Sequence, residues 1–199
     1  MKNCPVADIP QEMAREIQPF VESASVQGYY RFLSAMFHYT KNSGERLKHA
    51  AQMTVDSSES EIFHKLYLEE KDHYQLALND LYALHQEVDE IIPRSVVEFN
   101  DFWMSRKTTA EWMGILFATE NVASYLPEVV YKNILRLKLT ENQCSFMLVH
   151  LKADAEHSSI IDKVVHDYIS DEKLLESAKH SGELWIQMHI ESFTRIRND

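Results

Sequence analysis

The chain has 199 residues, of which 45% are hydrophobic, and it contains only four glycines and five prolines. This length suits one domain, and the composition argues against a disordered chain or a turn-rich sandwich or barrel, so we expect an all-α protein. The formal net charge of -11 repels phosphate backbones and anionic lipid heads, so we expect no nucleic acid or membrane partner.

The cysteines and the first ten residues indicate the cellular compartment of the protein. Cys4 and Cys144 lack CxxC spacing, which argues against a disulfide framework or a thiolate zinc site and fits a reducing compartment. The first ten residues contain no apolar signal-peptide core, and no run of about 18 apolar residues occurs. We therefore expect a cytoplasmic protein.

Apolar residues recur at helical spacing along the whole chain, which predicts a single helical domain over residues 1–199. Ser58 with Glu61, and Thr140 with Gln143, match the capping-box pattern that begins a helix. The predicted helices cover Gln11 to about Ala24, two segments within about Val26 to Val55, Ser58 to about His85, Pro93 to about Arg106, Glu111 to about Tyr125, Val129 to Leu139, about Glu141 to Ile169 and about Asp171 to Ile196.

Three polar residues share one face of the helix predicted to begin near Glu141. His150, Asp154 and His157 stand at positions i, i+4 and i+7, a spacing that places them on the same side. Such a face is either solvated or holds a metal ion.

Two other helices interrupt their apolar pattern in a similar way. Glu70 and His73 stand at i and i+3, and Glu120 is the single charge in the run 113–125. A buried carboxylate needs a cation, a proton or a metal beside it. Taken singly, each residue has an ordinary explanation, such as a solvated helix face or a core histidine. Together, the six supply ligands for two transition-metal ions, and carboxylate with imidazole suits iron, with manganese possible.

These residues resemble a known family, the haem-oxygenase-like diiron oxidases and oxygenases. Leu68-Glu-Glu70-Lys-Asp-His73, followed by Asn79-Asp80-Leu81, looks like the family's Glu-Glu-x-x-His helix ending in Asp-Leu. Glu120, in Gly114-Ile-Leu-Phe-Ala-Thr-Glu120, is similar to its lone mid-helix glutamate. The spacing of His150, Asp154 and His157 resembles its His-x3-Asp-x2-His motif.

The resemblance implies a bundle of about seven helices, shared with haem oxygenase and the thiaminase-type TenA proteins. It also implies two Fe(II) ions per chain, with dioxygen as co-substrate, and iron that binds weakly until substrate arrives. The implied iron ligands, which are also the implied catalytic residues, are Glu70, His73, Glu120, His150, Asp154 and His157. Whether Glu69 replaces Glu70 stays open.

The functional hypothesis is therefore an O2-dependent diiron enzyme acting on a small organic substrate. Oxidative C–C cleavage or N-oxygenation of an amino acid, fatty acid or related amine, in a biosynthetic pathway, follows from the resemblance. Two alternatives stay open: a ferritin-like diiron protein in which Glu45 replaces His150, and a metal-free TenA-like hydrolase or ligand-binding protein, for which Cys144 is the candidate nucleophile. Exposed apolar faces expected on the first and last helices favour a homodimer.

Overall fold

The computed structural model describes residues 6–194, except the side chain of Ala155, and over this range the chain forms α-helices and short 3-10 turns with no strand. Cys4 and the predicted helix end at Ile196 lie outside the described residues. The helices are α1 (Ile9–Ser23), α2 (Val26–Lys41), α3 (Ser43–Met53), α4 (Ser57–Glu70), α5 (Tyr74–Ala83), α6 (Arg94–Ser105), α7 (Thr109–Asn121), α8 (Pro127–Leu137), α9 (Ser145–Val165) and α10 (Glu172–Thr194).

The described residues contain more helical segments than the expected seven because several long helices are interrupted. The predicted break near Asn42 separates α2 from α3, and a 3-10 turn over Val122–Tyr125 separates α7 from α8. The long helix predicted from Ser58 to about His85 is wrong in one respect, since residues 71–73 form a turn that divides it into α4 and α5.

Two predicted helix starts also differ from the structure. The Asp56 carboxylate caps α4 by accepting hydrogen bonds from the backbone N–H groups of Ser58 and Glu59, so Ser58 is not the cap. The capping box of Thr140 and Gln143 forms, but it encloses a 3-10 turn, and α9 begins later, at Ser145. A carboxylate two residues upstream is as good a cap as a serine, and the sequence pattern alone does not separate them.

Helix α7 lies at the centre of the bundle and is buried on almost every side, as its nearly continuous apolar sequence requires. It packs along α10, which also contacts α1, α2 and α6. Gly114 permits this close approach, because a Cβ at that position would lie 2.2 Å from the backbone oxygen of Leu174 on α10. The close contact fixes the position of the helix that carries Glu120.

The apolar residues of α1 and α10 face inward. Ile9, Met13 and Ile17 of α1 are buried, as are Leu174 and Met188 of α10. The exposed apolar faces on which a homodimer was expected are therefore absent from the described parts of these two helices, and the homodimer stays a prediction. No helix among residues 6–194 is long and apolar enough to cross a membrane.

Replacing Gly114 with alanine should destabilise the protein by about 1–3 kcal/mol, because the new methyl group collides with backbone that cannot rotate away. Urea denaturation followed by circular dichroism measures this change. Gly28→Ala is the matched control, since its Cβ would lie 3.4 Å from the nearest atoms, and it should be neutral or stabilising. Equal stability of the two variants would contradict the close approach of α7 and α10.

Candidate metal centre

The six predicted ligands come from four segments that meet inside the bundle. Glu70 is the last residue of α4, His73 ends the following turn, and Glu120 lies in the last turn of α7. His150, Asp154 and His157 lie along α9. The structure brings all six together as two groups of three potential ligands.

The first group consists of Glu70, His73 and His150, whose potential ligand atoms all lie within 4.8 Å of one another. The Nδ1 atom of His150 lies 2.8 Å from the carbonyl oxygen of Phe146. Because a carbonyl only accepts hydrogen bonds, Nδ1 carries the proton, which leaves Nε2 with a free lone pair. Two imidazoles and one carboxylate are the ligand set that non-haem Fe(II) enzymes use.

Two buried polar atoms of this group lack hydrogen-bond partners. His73 Nδ1 lies 2.8 Å from Glu70 Oε2, but the angle is not that of a hydrogen bond. Among the described residues, neither His73 Nδ1 nor Glu70 Oε1 has a hydrogen-bond partner. Unsatisfied buried polar atoms are costly, and a metal ion would satisfy both of them.

The second group consists of Glu120, Asp154 and His157, again with potential ligand atoms within 4.8 Å of one another. His157 Nδ1 lies 3.0 Å from Glu120 Oε2 and 3.6 Å from Glu70 Oε1. His157 is therefore the link between the two groups. No hydrogen bond joins the Asp154 carboxylate to another described side chain.

The charged groups of this centre shift one another's pKa values. Burial, followed by the nearby charges of Glu120 and Glu70, raises the pKa of Asp154 well above its ordinary value. Burial and the charge of Glu70 also raise the pKa of Glu120, although His157 opposes the change. Burial raises the pKa of Glu70, but the adjacent His73 and the other histidines bring it below its ordinary value.

The pKa values of His150 and His157 shift in opposite directions. Burial lowers the pKa of His150. Burial also lowers the pKa of His157, but its hydrogen bond to Glu120 and the charges of Glu120 and Glu70 raise it to about 9. Carboxylates this close need protons or cations between them, and divalent metals displace such protons. The donor set therefore fits two metal ions.

Glu69 contributes a contact that the sequence did not predict. Its side chain is 42% exposed, yet its Oε2 lies 3.0 Å from His157 Nε2. Glu70 belongs to one of the two groups of potential ligands, whereas Glu69 belongs to neither, which favours Glu70 over Glu69. Glu69 holds the His157 ring so that Nδ1 faces Glu120 and Glu70, as carboxylates often do for metal-binding histidines.

A cavity of about 140 Å³ reaches both groups. Its walls are mainly apolar, and its polar lining includes the side chains of Glu70, Glu120, His150 and Asp154. An apolar cavity with a few convergent polar groups is the usual form of a small-molecule site.

Neither Glu45, the alternative ligand, nor Cys144, the alternative nucleophile, occupies a suitable position. Glu45 is exposed on α3, so the ferritin-like set that requires it is not assembled. Cys144 is buried, its thiol donates to the carbonyl of Thr140 at 3.2 Å, and burial raises its pKa to about 11. A thiol with a raised pKa is a poor nucleophile.

Comparison with known proteins decides the family. The family model described as "iron-containing redox enzyme" matches residues 30–185. The chain belongs to this family. Membership supports a general assignment as an iron-dependent oxidoreductase.

The fold has also been seen in a solved structure. A domain of unknown function with a heme oxygenase-like fold from Shewanella denitrificans superimposes with a TM-score of 0.80 at 16% sequence identity. The match covers 94% of this chain and 88% of the other. It confirms the predicted all-α, haem-oxygenase-like fold. No curated protein matches the chain in sequence.

Asp80 places the start of α9, and with it three potential ligands. Its carboxylate accepts hydrogen bonds from the backbone N–H groups of Ser145 at 3.1 Å and Phe146 at 2.9 Å, and from the Ser145 hydroxyl. Asp80 therefore caps α9 from α5, a helix distant in sequence.

Asp80→Ala should destabilise the protein by about 1–3 kcal/mol because it leaves these buried donors without an acceptor. Asp80→Asn keeps one acceptor oxygen and should cost less. Chemical denaturation measures both variants, with Asp101→Ala, an exposed position on α6, as the control. If Asp80→Ala were as stable as Asp101→Ala, the cap would have no energetic role.

His189 should make stability depend on pH. It is buried in α10, its Nδ1 donates to the Trp185 carbonyl at 2.8 Å, and burial lowers its pKa to about 4. The folded state therefore favours neutral His189, and this contribution is full above the unfolded pKa of about 6.5 and is lost as pH falls towards 4.

Because of His189, the unfolding free energy should fall by about 2 kcal/mol between pH 7 and pH 5. His189→Gln should remove that part of the loss, whereas His180→Gln, at a largely exposed position on the same helix, should keep it. Urea titrations at the two pH values test this. An unchanged pH dependence in His189→Gln would refute the assignment.

Proposed function

We propose that this protein is a non-haem diiron oxidase or oxygenase that uses O2 to oxidise a small organic substrate. The observation that carries the proposal is the pairing of two adjacent ligand groups, Glu70–His73–His150 and Glu120–Asp154–His157, inside a bundle of an iron-containing family. Two ferrous ions bound there would supply electrons and Lewis acidity for the reaction with dioxygen.

The residues around the two groups have definable roles. The Phe146 carbonyl holds the Nδ1 proton of His150, so Nε2 is available to a metal. Glu69 holds the Nε2 side of His157, which turns Nδ1 towards Glu120. The Ser158 hydroxyl also lies 3.1 Å from the backbone oxygen of Glu120 and joins the end of α7 to α9.

The cavity walls would exclude water and orient the substrate. Phe146 and Met147 of α9 and Leu116 of α7 line the cavity next to the polar residues of the centre. An apolar environment limits side reactions with water and strengthens electrostatic interactions with the substrate.

Anaerobic titration with Fe(II) tests the ligand set. We expect two ferrous ions per chain in the wild-type protein, and His150→Ala and Glu120→Ala should each lose about one of them, because each removes a ligand from a different group. Glu45→Ala should retain both ions. Iron analysis after desalting measures stoichiometry, and parallel loading with Mn(II) tests metal preference.

Two results would contradict the proposal. If His150→Ala bound two ions and Glu45→Ala did not, the ferritin-like ligand set would be correct. If the wild-type protein bound no iron, and an oxygen electrode detected no O2 consumption after Fe(II) addition with a panel of carboxylates and amines, the diiron proposal would fail.

A further inference from the structure

The cavity wall contains a buried cation on α3. Arg46 is 4% exposed and lines the cavity together with Glu70, Glu120 and Asp154. No carboxylate of a described residue forms an ion pair with its guanidinium, whose hydrogen-bond acceptors, from Tyr39, Asn100 and Ser43, are uncharged. The charges of Glu70 and Glu120 act on it only through space. Buried charges are normally paired, so a cation in this position calls for an anion.

The hydrogen bonds of Arg46 leave two of its N–H donors without an acceptor among the described residues. Nη1 donates to the Tyr39 carbonyl at 3.0 Å and to Asn100 Oδ1, and Nη2 donates to Ser43 Oγ at 3.0 Å. A guanidinium has five N–H donors. The remaining Nε–H and the second Nη2–H belong to adjacent nitrogens, which is the pair that a carboxylate accepts in bidentate fashion.

Aromatic rings hold the guanidinium in place. Its central carbon lies 4.5 Å from the ring centroid of Tyr39, 5.4 Å from that of Phe99 and 5.9 Å from that of Trp103. These cation-π contacts and the hydrogen bonds fix the side chain before any ligand arrives. A fixed donor loses little entropy on binding, which favours affinity.

The cavity volume limits the size of the ligand. About 140 Å³ is close to the roughly 150 Å³ of an engineered apolar cavity that binds benzene. The cavity lining also includes Leu47, Met36 and Phe32, which are apolar. The ligand that fits is therefore compact and apolar, with a single charged group.

The charge balance of the loaded centre also favours an anion. Glu70, Glu120 and Asp154 supply three negative charges, whereas two ferrous ions and Arg46 would supply five positive charges. The excess positive charge in an apolar cavity disfavours an ammonium group and favours a carboxylate. This point rests on the proposed function, but the geometry of Arg46 does not.

We propose that Arg46 anchors the carboxylate of a compact apolar monocarboxylate substrate, of about the bulk of an arylacetate, and directs its apolar body into the cavity that reaches the two ligand groups. The carboxylate is held by the protein and is not a ligand of the metal. Arg46 is thus a specificity-determining residue, which selects an acid over the corresponding amine.

Isothermal titration calorimetry of the full chain with three probes tests this proposal. Phenylacetate, phenylacetamide and phenethylamine differ mainly in charge, and each is titrated into matched metal-free and anaerobically Fe(II)-loaded protein. In the Fe(II)-loaded protein we expect phenylacetate to bind at least about tenfold more tightly than phenylacetamide, because only the acid forms charge-assisted hydrogen bonds, and phenethylamine to bind most weakly. The preference for the acid should be smaller in the metal-free protein, where the charges of Glu70 and Glu120 oppose a second anion near Arg46. Equal binding of acid and amide by the loaded protein, or preference for the amine, overturns the proposal.

Substitutions at Arg46 test whether this residue is the carboxylate anchor. Arg46→Met should lower phenylacetate affinity by about tenfold or more and leave phenylacetamide affinity nearly unchanged. Arg46→Lys keeps the charge but not the paired donors, and should give an intermediate affinity. Arg106→Met is the matched control, because Arg106 pairs with Glu111 and is not part of the cavity lining, and it should bind as wild type. Circular dichroism checks folding, and the three-probe series on wild-type protein decides the matter if Arg46→Met does not fold.

The outcomes also separate this inference from the diiron proposal. If phenylacetate binds only the Fe(II)-loaded protein and Arg46→Met does not weaken it, the carboxylate binds the metal and the Arg46 anchor is refuted. If no iron binds but phenylacetate binding still depends on Arg46, the anchor is supported and the diiron proposal fails.

Discussion

Three carboxyl groups, those of Glu70, Glu120 and Asp154, converge inside the helical bundle, and their mutual repulsion is the constraint on which the centre depends. Burial and the neighbouring charges raise the pKa values of Glu120 and Asp154, while His157 bridges towards both Glu70 and Glu120. Such a cluster is stable only with protons or metal cations between its members. A cation site would explain the histidines around this cluster and the atoms of Glu70 and His73 that lack hydrogen-bond partners among the described residues.

The scaffold holds these groups at fixed positions through backbone contacts distant in sequence. Gly114 lets α7 approach α10 closely, which fixes the helix that carries Glu120. Asp80 caps α9 from α5 and so fixes the start of the helix that carries His150, Asp154 and His157. Neither residue belongs to the two groups of potential ligands, yet both help to position the helices that carry those groups. A rigid support of this kind is what a preorganised metal centre requires.

Arg46 shows how two consecutive residues of one helix can face different surroundings. Glu45 faces solvent, whereas Arg46, the next residue, is buried against Tyr39, Phe99 and Trp103. That orientation argues against the ferritin-like ligand set and places a cation in the lining of the cavity that also includes Glu70, Glu120 and Asp154. A compact substrate whose carboxylate bound Arg46 would therefore have a defined direction in the cavity.

Local patterns in the sequence determined the helical class, the approximate helix positions and the six predicted ligands, because apolar periodicity and i, i+3, i+4 and i+7 spacing depend on neighbouring residues alone. The ligand set stays a prediction, but the structure assembles all six residues into two groups. The turn at residues 71–73, the contact of Glu69 with His157, the cap from Asp80 and the burial of Arg46 depended on packing between helices distant in sequence. Only the tertiary structure decided them, because each depends on which helix lies opposite.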